Sequence, residues 1–522
     1  MSDSLEAHVR APAQIPAGPA GGPSFSPAAS ASASASASPS VSPHLQQIRD
    51  LLDAGTFLEL DALAEHDSTR FGANRRQQAG DGIATGHGTI DGRQVLVYGH
   101  DSSFMGGSSS RIHALKIGKV LDLAVRVGVP VIALNHSSGL RIHEGVDADS
   151  QFSHVFYKTV RASGVVPQIS LVLGDCIGGA AYAPALTDFI IMVDQQSALF
   201  LTGPAVIRRA TGEEVTREDI GGGSLHATRT GLAHFLTESS AEALALTREL
   251  LSYLPQNNAS QTPLTSGPGT LPRPVPALNQ LIPLDKAQPF DIRHVIAELA
   301  DDGAFLEVHR LYARNIVTGF TRLGGHSVGV IANQPAWLAG CLDVDASAKA
   351  ARFVRTCDAF GIPLLTLLDV PGYLPGKQQE QSNVIGAGAK LMHAYCEATV
   401  PKIAVVLRKA YGGAYPTLAN RSATDLIYAL PAAEIAVMGP EGAVDVIFRK
   451  DLAAAEDPSA QREVLIGEYR DAHASARYSA TRTYIEGLVE PADLRNTILA
   501  SFALLRDKIS GPPVRRHSNI QL

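Results

Sequence analysis

The chain has 522 residues, a formal net charge of −7 and four cysteines. So mild a charge excludes the electrostatic footprint of a nucleic-acid binder, and no run approaches the roughly 18 apolar residues of a membrane span. The length exceeds what one hydrophobic core serves, which predicts two domains of about 200 residues each. Cys176, Cys341, Cys357 and Cys396 lack metal-type spacing, so free thiols in a reducing, cytoplasmic protein are expected.

In chain order, residues 1–43 form a Pro/Gly/Ala/Ser tract with repeated Ser-Ala from Ser30 to Ser38. It has too little apolar surface to order itself and no unbroken apolar stretch of the signal-peptide kind. An N-terminal domain is expected over residues 44–254. It contains Ala54-Gly55-Thr56-Phe57-Leu58-Glu59, a hairpin-like stretch with Gly86 and Gly92, a helix ending over 121–127, and a buried strand opened by Val129-Pro130. A second strand, Val166 to Leu173, then runs into Gly174-Asp175-Cys176-Ile177-Gly178-Gly179-Ala180-Ala181-Tyr182. The breaker-rich stretch 255–283, with Gly267-Pro268-Gly269 and Pro272-Arg273-Pro274, reads as the inter-domain linker.

The C-terminal domain, 284–522, repeats these features in the same order. Asp302-Gly303-Ala304-Phe305-Leu306-Glu307 echoes the first element, Gly319 and Gly325 the hairpin glycines, and Ile362-Pro363 the strand opening. A helix is predicted over 348–360 and a strand over 364–368. Val400 to Leu407 then leads into Arg408-Lys409-Ala410-Tyr411-Gly412-Gly413-Ala414-Tyr415. Fixed-period similarity of this extent implies two copies of one fold. Continuous apolar strands alternating with helices predict an α/β class with parallel sheets, whose active groups sit at the carboxyl ends of the strands.

Paired glycines at the open end of a buried strand leave backbone N–H groups bare, and a following helix adds its positive dipole end. That arrangement makes an oxyanion hole without side chains. Gly178 and Gly179 in the first copy, and Gly412, Gly413 and Ala414 in the second, are therefore candidate catalytic groups for a reaction that places negative charge on two carbonyl oxygens. The structural alternative is that each glycine pair only permits close helix–strand packing.

Several longer motifs resemble the carboxyltransferase (β) subunits of biotin-dependent acyl-CoA carboxylases, close to the propionyl-CoA type. They include Asn333-Gln334-Pro335, Ala350-Ala351-Arg352-Phe353-Val354-Arg355, Asp369-Val370-Pro371-Gly372, Arg408 to Tyr415, and Gly164-Val165-Val166-Pro167-Gln168-Ile169-Ser170. The resemblance runs from about Leu45 to the C-terminus and implies tandem duplicated crotonase-like domains. It implies an acyl-CoA side in the N-terminal domain and a biotin side in the C-terminal domain. Carboxybiotin would arrive on a separate α subunit carrying the biotin carboxylase and carrier functions, and no metal would be needed in this subunit. Chains of the family pair N-terminal domain to C-terminal domain and assemble as hexamers, trimers of dimers. In this reading the Gly178 and Gly179 amides hold a thioester enolate oxygen. Those of Gly413 and Ala414, with Gly412 preceding them, hold the ureido oxygen of biotin.

Departures from the family pattern cluster on the acyl side. Where the family reads Asn-Asp-Ser-Gly-Gly-Ala-Arg, this chain has Asn135-His136-Ser137-Ser138-Gly139-Leu140-Arg141; Asp175 replaces proline and Ile177 replaces alanine. Pro416 stands where propionyl-type enzymes carry aspartate, Gly386-Ala387 replaces an Arg-Arg pair, and a basic segment near the N-terminus is missing. His136, Leu140, Ile177, Tyr182 and Pro416 are therefore the candidate substrate-binding residues. His136, His143 and His154 match no common zinc spacing. The expected function is transfer of carboxyl from carboxybiotin to the α-carbon of a propionyl or longer, branched acyl-CoA (or carrier-protein thioester), giving a malonyl-type extender unit for secondary metabolism. The alternatives are a relative that decarboxylates or otherwise modifies a malonyl-type thioester without biotin, and an inactive assembly partner.

Overall fold

The structure is a computed structural model that describes residues 42–66, 68, 71, 73, 77–511 and 515–521. The expected N-terminal tail lies outside the described residues up to position 41. Pro43 opens the helix Pro43–Leu51, a position where its missing N–H has no partner to lose.

The first sheet begins with three antiparallel strands, β1 (Leu58–Leu60), β2 (Ile83–Ile90) and β3 (Arg93–His100). A Cβ on Gly86 would lie 2.4 Å from the Leu58 carbonyl oxygen, so glycine alone lets β1 close on β2. From β3 onward the strands are parallel: β4 (Val131–Ser137), β5 (Gln168–Ile177), β6 (Phe189–Val193) and, beyond it, β8 (Phe235–Thr237). β7 (Ala198–Phe200) pairs with the far end of β5. Two helices cover one face, α1 (Arg111–Val127) and α2 (Val146–Ala162). Ser110 caps α1 by accepting from the His113 N–H at 3.0 Å, and Gly128 ends it at φ +69.

After α3 (Ser240–Tyr253) the second sheet repeats the first. β9 (Phe305–Val308), β10 (Ile316–Leu323) and β11 (His326–Asn333) are antiparallel, and Gly319 stands in the same contact as Gly86, 2.5 Å from the Leu306 carbonyl oxygen. The helix α4 (Val344–Ala359) leads to β12 (Leu364–Val370), and α5 (Val384–Glu397) to β13 (Lys402–Tyr411). Beyond the short helix α6 (Ala414–Leu418) come β14 (Leu426–Ala429), β15 (Glu434–Ala436) and β16 (Gly487–Leu488). β12 to β16 are parallel, and β15 pairs with the far end of β13 as β7 does with β5.

Among the described residues, one buried cluster draws on both halves, while the others lie within a single half. Phe189 of β6 meets Phe320 of β10 edge-on at 6.0 Å, while Tyr253 stacks on the same ring and Phe353 lies 5.1 Å away. The stretch 255–283 begins bonded to the first half, with the Asn258 N–H donating to Val165, and ends on the second sheet: the Val275 N–H donates to Ala492, and Val275, Leu278 and Ile282 are buried with the residues behind that sheet. All four cysteines are free, and no helix among the described residues is long and apolar enough to cross a membrane.

Candidate active site

Each expected glycine turn lies at the carboxyl end of an interior strand of its own sheet. β5 gives way at Gly178 (φ +62) to a 3-10 turn, Gly178–Ala181, and then to the helical turn Tyr182–Ala185. β13 gives way at Gly412 (φ +58), Gly413 and α6. The first amides of such a turn have no acceptor within it. In the second copy the Gly412 N–H is used, donating to Ala436 at 3.0 Å, whereas Gly413 is exposed and a Cβ on it would meet nothing within 4 Å. The Gly412 amide is thus engaged, while Gly413 stands open at the surface and Ala414 is buried. Gly412 supplies the left-handed conformation of the turn.

The first turn is more enclosed. Leu140 lies over Gly179, with its Cγ and Cδ1 3.3 Å from where a Cβ on that glycine would be. The Leu140 backbone is held by neighbours on both sides: the Ser109 N–H donates to Gly139, and the Arg141 N–H donates to Ser109, each at 2.8 Å. Below it, the buried Arg141 guanidinium pairs with Asp81 at 2.7 Å and Glu144 at 3.2 Å and donates to the Ser108 carbonyl. Tyr182 is half-exposed and meets Phe156 edge-on at 6.0 Å; Leu140 and Phe156 pack against the same buried cluster. Ile177, the last residue of β5, is partly buried beside Phe200. Leu140, Ile177, Gly178, Gly179 and Tyr182 therefore form one group. Pro416 belongs to the other turn, on α6, at the position that matches Tyr182 in the first copy.

His136 is placed differently from its neighbours. Its ring lies flat against Gly174, where a Cβ would come within 2.4 Å of it, four residues before Gly178. Burial holds the imidazole below its ordinary pKa; Asp175 opposes this and Arg217 adds to it. Asp175 itself pairs with Arg217 at 2.5 Å. At the matching place in the second copy stands Asp369, fully buried and paired with Arg408 at 2.7 Å. Burial raises the Asp369 pKa against the lowering effects of Lys409 and Arg408. His143 is partly buried and His154 exposed, and among the described residues no group of three His, Cys, Asp or Glu side chains is placed to hold a metal ion.

Two sets of residues escaped the sequence reading. Arg141 gives no local sign of its role because its partner Asp81 lies sixty positions upstream. Lys116 and Lys349 occupy equivalent places on α1 and α4, each buried with its ammonium donating to backbone carbonyls, those of Gly80 and Ile83 and those of His309, Tyr312 and Ile316. Their recurrence at the interval of the repeat was the available signal.

Comparison with known proteins gives the family. A profile of the carboxyl transferase domain matches residues 44–520. The propionyl-CoA carboxylase carboxyltransferase subunit of Haloferax mediterranei is 48% identical over 478 residues, covering 91% of this chain and 93% of that one. The methylmalonyl-CoA decarboxylase subunit alpha of Propionigenium modestum is 45% identical over 478 residues, covering 91% and 92%. Among solved structures, the transcarboxylase 12S hexamer with hydrolysed methylmalonyl-coenzyme A superposes with a TM-score of 0.89 at 43% identity, covering 92% of each chain. The two matching sheets are the tandem crotonase-like fold, and the chain belongs to the carboxyltransferase family, whose members move a carboxyl group between biotin and an acyl-CoA.

Proposed function

We propose that this chain is the carboxyltransferase subunit of an acyl-CoA carboxylase, with the acyl thioester at the Gly178–Gly179 turn and the biotin ring at the Gly413–Ala414 turn. The observation that carries this reading is the pair of matching glycine turns, one at the carboxyl end of β5 and one at that of β13. The second turn fits a biotin ring because Gly413 opens onto free space. Carboxybiotin, delivered on a separate subunit, supplies the carboxyl group and a nitrogen that takes up the α-proton.

The chain's own part is electrostatic. The Gly178 and Gly179 amides point at the thioester oxygen as it gains enolate charge, and each such donor is worth about 3 kcal/mol of transition-state stabilisation. Leu140 over Gly179 keeps water from that amide and, with Ile177 and Tyr182, makes the acyl wall apolar. His136 is set back on Gly174, so the α-proton is not assigned to it. An assembly of paired chains, in the manner of the transcarboxylase 12S hexamer, would bring the first turn of one chain to the second turn of its partner.

A second reading follows from the decarboxylase relatives: the same turns take carboxyl from a malonyl-type thioester instead of adding it. Fixation of labelled bicarbonate by the chain with a biotin-bearing subunit and ATP, across acyl-CoAs from acetyl to branched longer chains, separates the two. Label in a malonyl-type product is expected. Absence of label with every substrate, together with CO2 release from methylmalonyl-CoA, would replace the first reading by the second.

A further inference from the structure

Tyr411 is the last residue of β13 before Gly412, and its ring is buried against Gly439, 3.1 Å from where a Cβ on that glycine would be. Its hydroxyl donates to Glu434, the first residue of β15. Glu434 is 2% exposed, and its other carboxylate oxygen accepts from Lys286 at 2.7 Å and from Arg470 at 2.6 Å. Burial works to raise the Glu434 pKa, and the bonds from Lys286 and Tyr411 outweigh it. Burial, and after it the bond to Glu434, raises the Tyr411 phenol, so the hydroxyl keeps its proton and is the donor.

The same two strands hold the second glycine turn. β15 runs beside the end of β13, with Glu434 opposite Lys409 and Ala436 opposite Tyr411, and the Gly412 N–H donates to Ala436. The Val437 carbonyl oxygen lies 3.3 Å from where a Cβ on Gly412 would be, and the exposed Val437 and Met438 lead on to Gly439 at the Tyr411 ring. Glu434 thus ties down the residue before the turn and, through that ring, the wall beside it. The fold itself does not require this. In the first copy the matching residues are Ile177 and Ala198, which can form no such bond, yet that turn has the same left-handed glycine, Gly178 at φ +62. There a neighbouring segment is docked by Arg217 on Asp175, the counterpart of Lys409, rather than on the residue before the turn.

The two turns also differ in what lies above them. Leu140 packs over the first from outside, whereas a Cβ on Gly413 would meet nothing within 4 Å, so the second is held from beneath. An open turn keeps a fixed direction only if the strand end under it cannot shift. We propose that Glu434 is a positioning residue for the biotin side of carboxyl transfer, acting through the Tyr411 hydroxyl to fix the Gly412–Ala414 turn. The inference rests on the placing of biotin at this turn under the proposed function. Neither side chain is assigned a contact with the reacting atoms; Tyr411 is only 8% exposed and Glu434 lies behind it.

Carboxyl transfer to free biotin, from the malonyl-type thioester that the bicarbonate assay yields, tests this on the full-length protein. Tyr411→Phe keeps the ring on Gly439 and drops the hydroxyl. It should raise KM for biotin about tenfold, the worth of one hydrogen bond to a charged group, and leave KM for the thioester unchanged. Glu434→Gln, which can still bond the Tyr411 hydroxyl, should fall between Tyr411→Phe and the unaltered protein. Thermal unfolding of each variant is measured alongside. A Tyr411→Phe protein that loses Tm but keeps its KM for biotin overturns the proposal and leaves the pair a structural tie. An equal rise in both KM values overturns it too, since the effect would then not be confined to the second turn. Failure of the underlying reading is seen separately, in the unaltered protein, which would exchange no carboxyl with biotin and would take the inference with it.

Discussion

The bulges that precede the two glycine turns share a backbone and differ in charge. In each sheet the register between the fourth and fifth strands shifts at one place, between Asn135 and Ser137 in the first and between Leu368 and Val370 in the second. The residue at the shift is His136 in one and Asp369 in the other. His136 lies on a glycine, and the nearby Asp175–Arg217 pair is about a third exposed. Asp369 lies on Arg408, and both are buried. Arg408 also donates to the carbonyls of Asp285 and Gln288, so the second bulge is anchored to the chain that enters its domain. The duplicated fold fixes where the amides point, and each half has its own means of holding the strand beneath them.

The largest difference is expected in stability. Arg408→Met leaves the Asp369 carboxylate buried without its guanidinium, a loss of about 3–5 kcal/mol. Arg217→Met removes a partly exposed pair, which solvent screens to about 1 kcal/mol or less. Thermal unfolding of the two variants side by side measures this. Equal shifts in Tm would mean that the second bulge is not the more tightly anchored.

A smaller contrast is expected at the turns themselves. Gly179→Ala drives a methyl to 3.3 Å from Leu140, while Gly413→Ala places one in open space at φ −63. The first change should lower kcat/KM about tenfold by displacing Leu140 or the amide, an effect of about 1.4 kcal/mol. The Gly413 change should leave Tm unmoved and act only on the biotin side, raising KM for the carrier. Adding Leu140→Ala to Gly179→Ala should restore much of the loss, and a double-mutant cycle with no coupling would show that Leu140 does not roof the turn.

Much of this architecture was legible because duplication doubles every signal. The hairpin glycines, the strand openings and both glycine turns recur at nearly one interval, and Gly86 and Gly319 make the same contact in the two sheets. Three features were not legible, for physical reasons. β5 and β13 run on through Gly174 to Ile177 and Arg408 to Tyr411, which read as turn because the bulges place Asp175, Arg408 and Lys409 inside a strand and break the apolar run. The burial of Arg141 depends on Asp81, far away in sequence. The cluster around Phe320 joins residues from both copies, a pairing that no repeat within one chain signals, while other buried clusters stay within one copy.

The smallest effect concerns His136 and has opposite signs in the two bulges. Burial lowers the folded pKa of His136 below the 6.5 of the unfolded chain. Below pH 6.5 the unfolded chain therefore binds more protons, and stability falls as pH drops through 6.5 toward the folded value; above 6.5 the residue contributes no pH dependence. Asp369, raised by burial, works the other way, since its folded form keeps a proton that the unfolded form gives up, so its contribution is present in acid and lost as pH rises through the raised value. His136→Asn should narrow the gap in Tm between pH 7.5 and pH 5.5 without closing it. His100, His113, His234 and His309, all pushed down by burial, keep most of the acid sensitivity. An unchanged gap would mean that the imidazole on Gly174 takes its proton as freely folded as unfolded, and that the first bulge tolerates a charge as the second does.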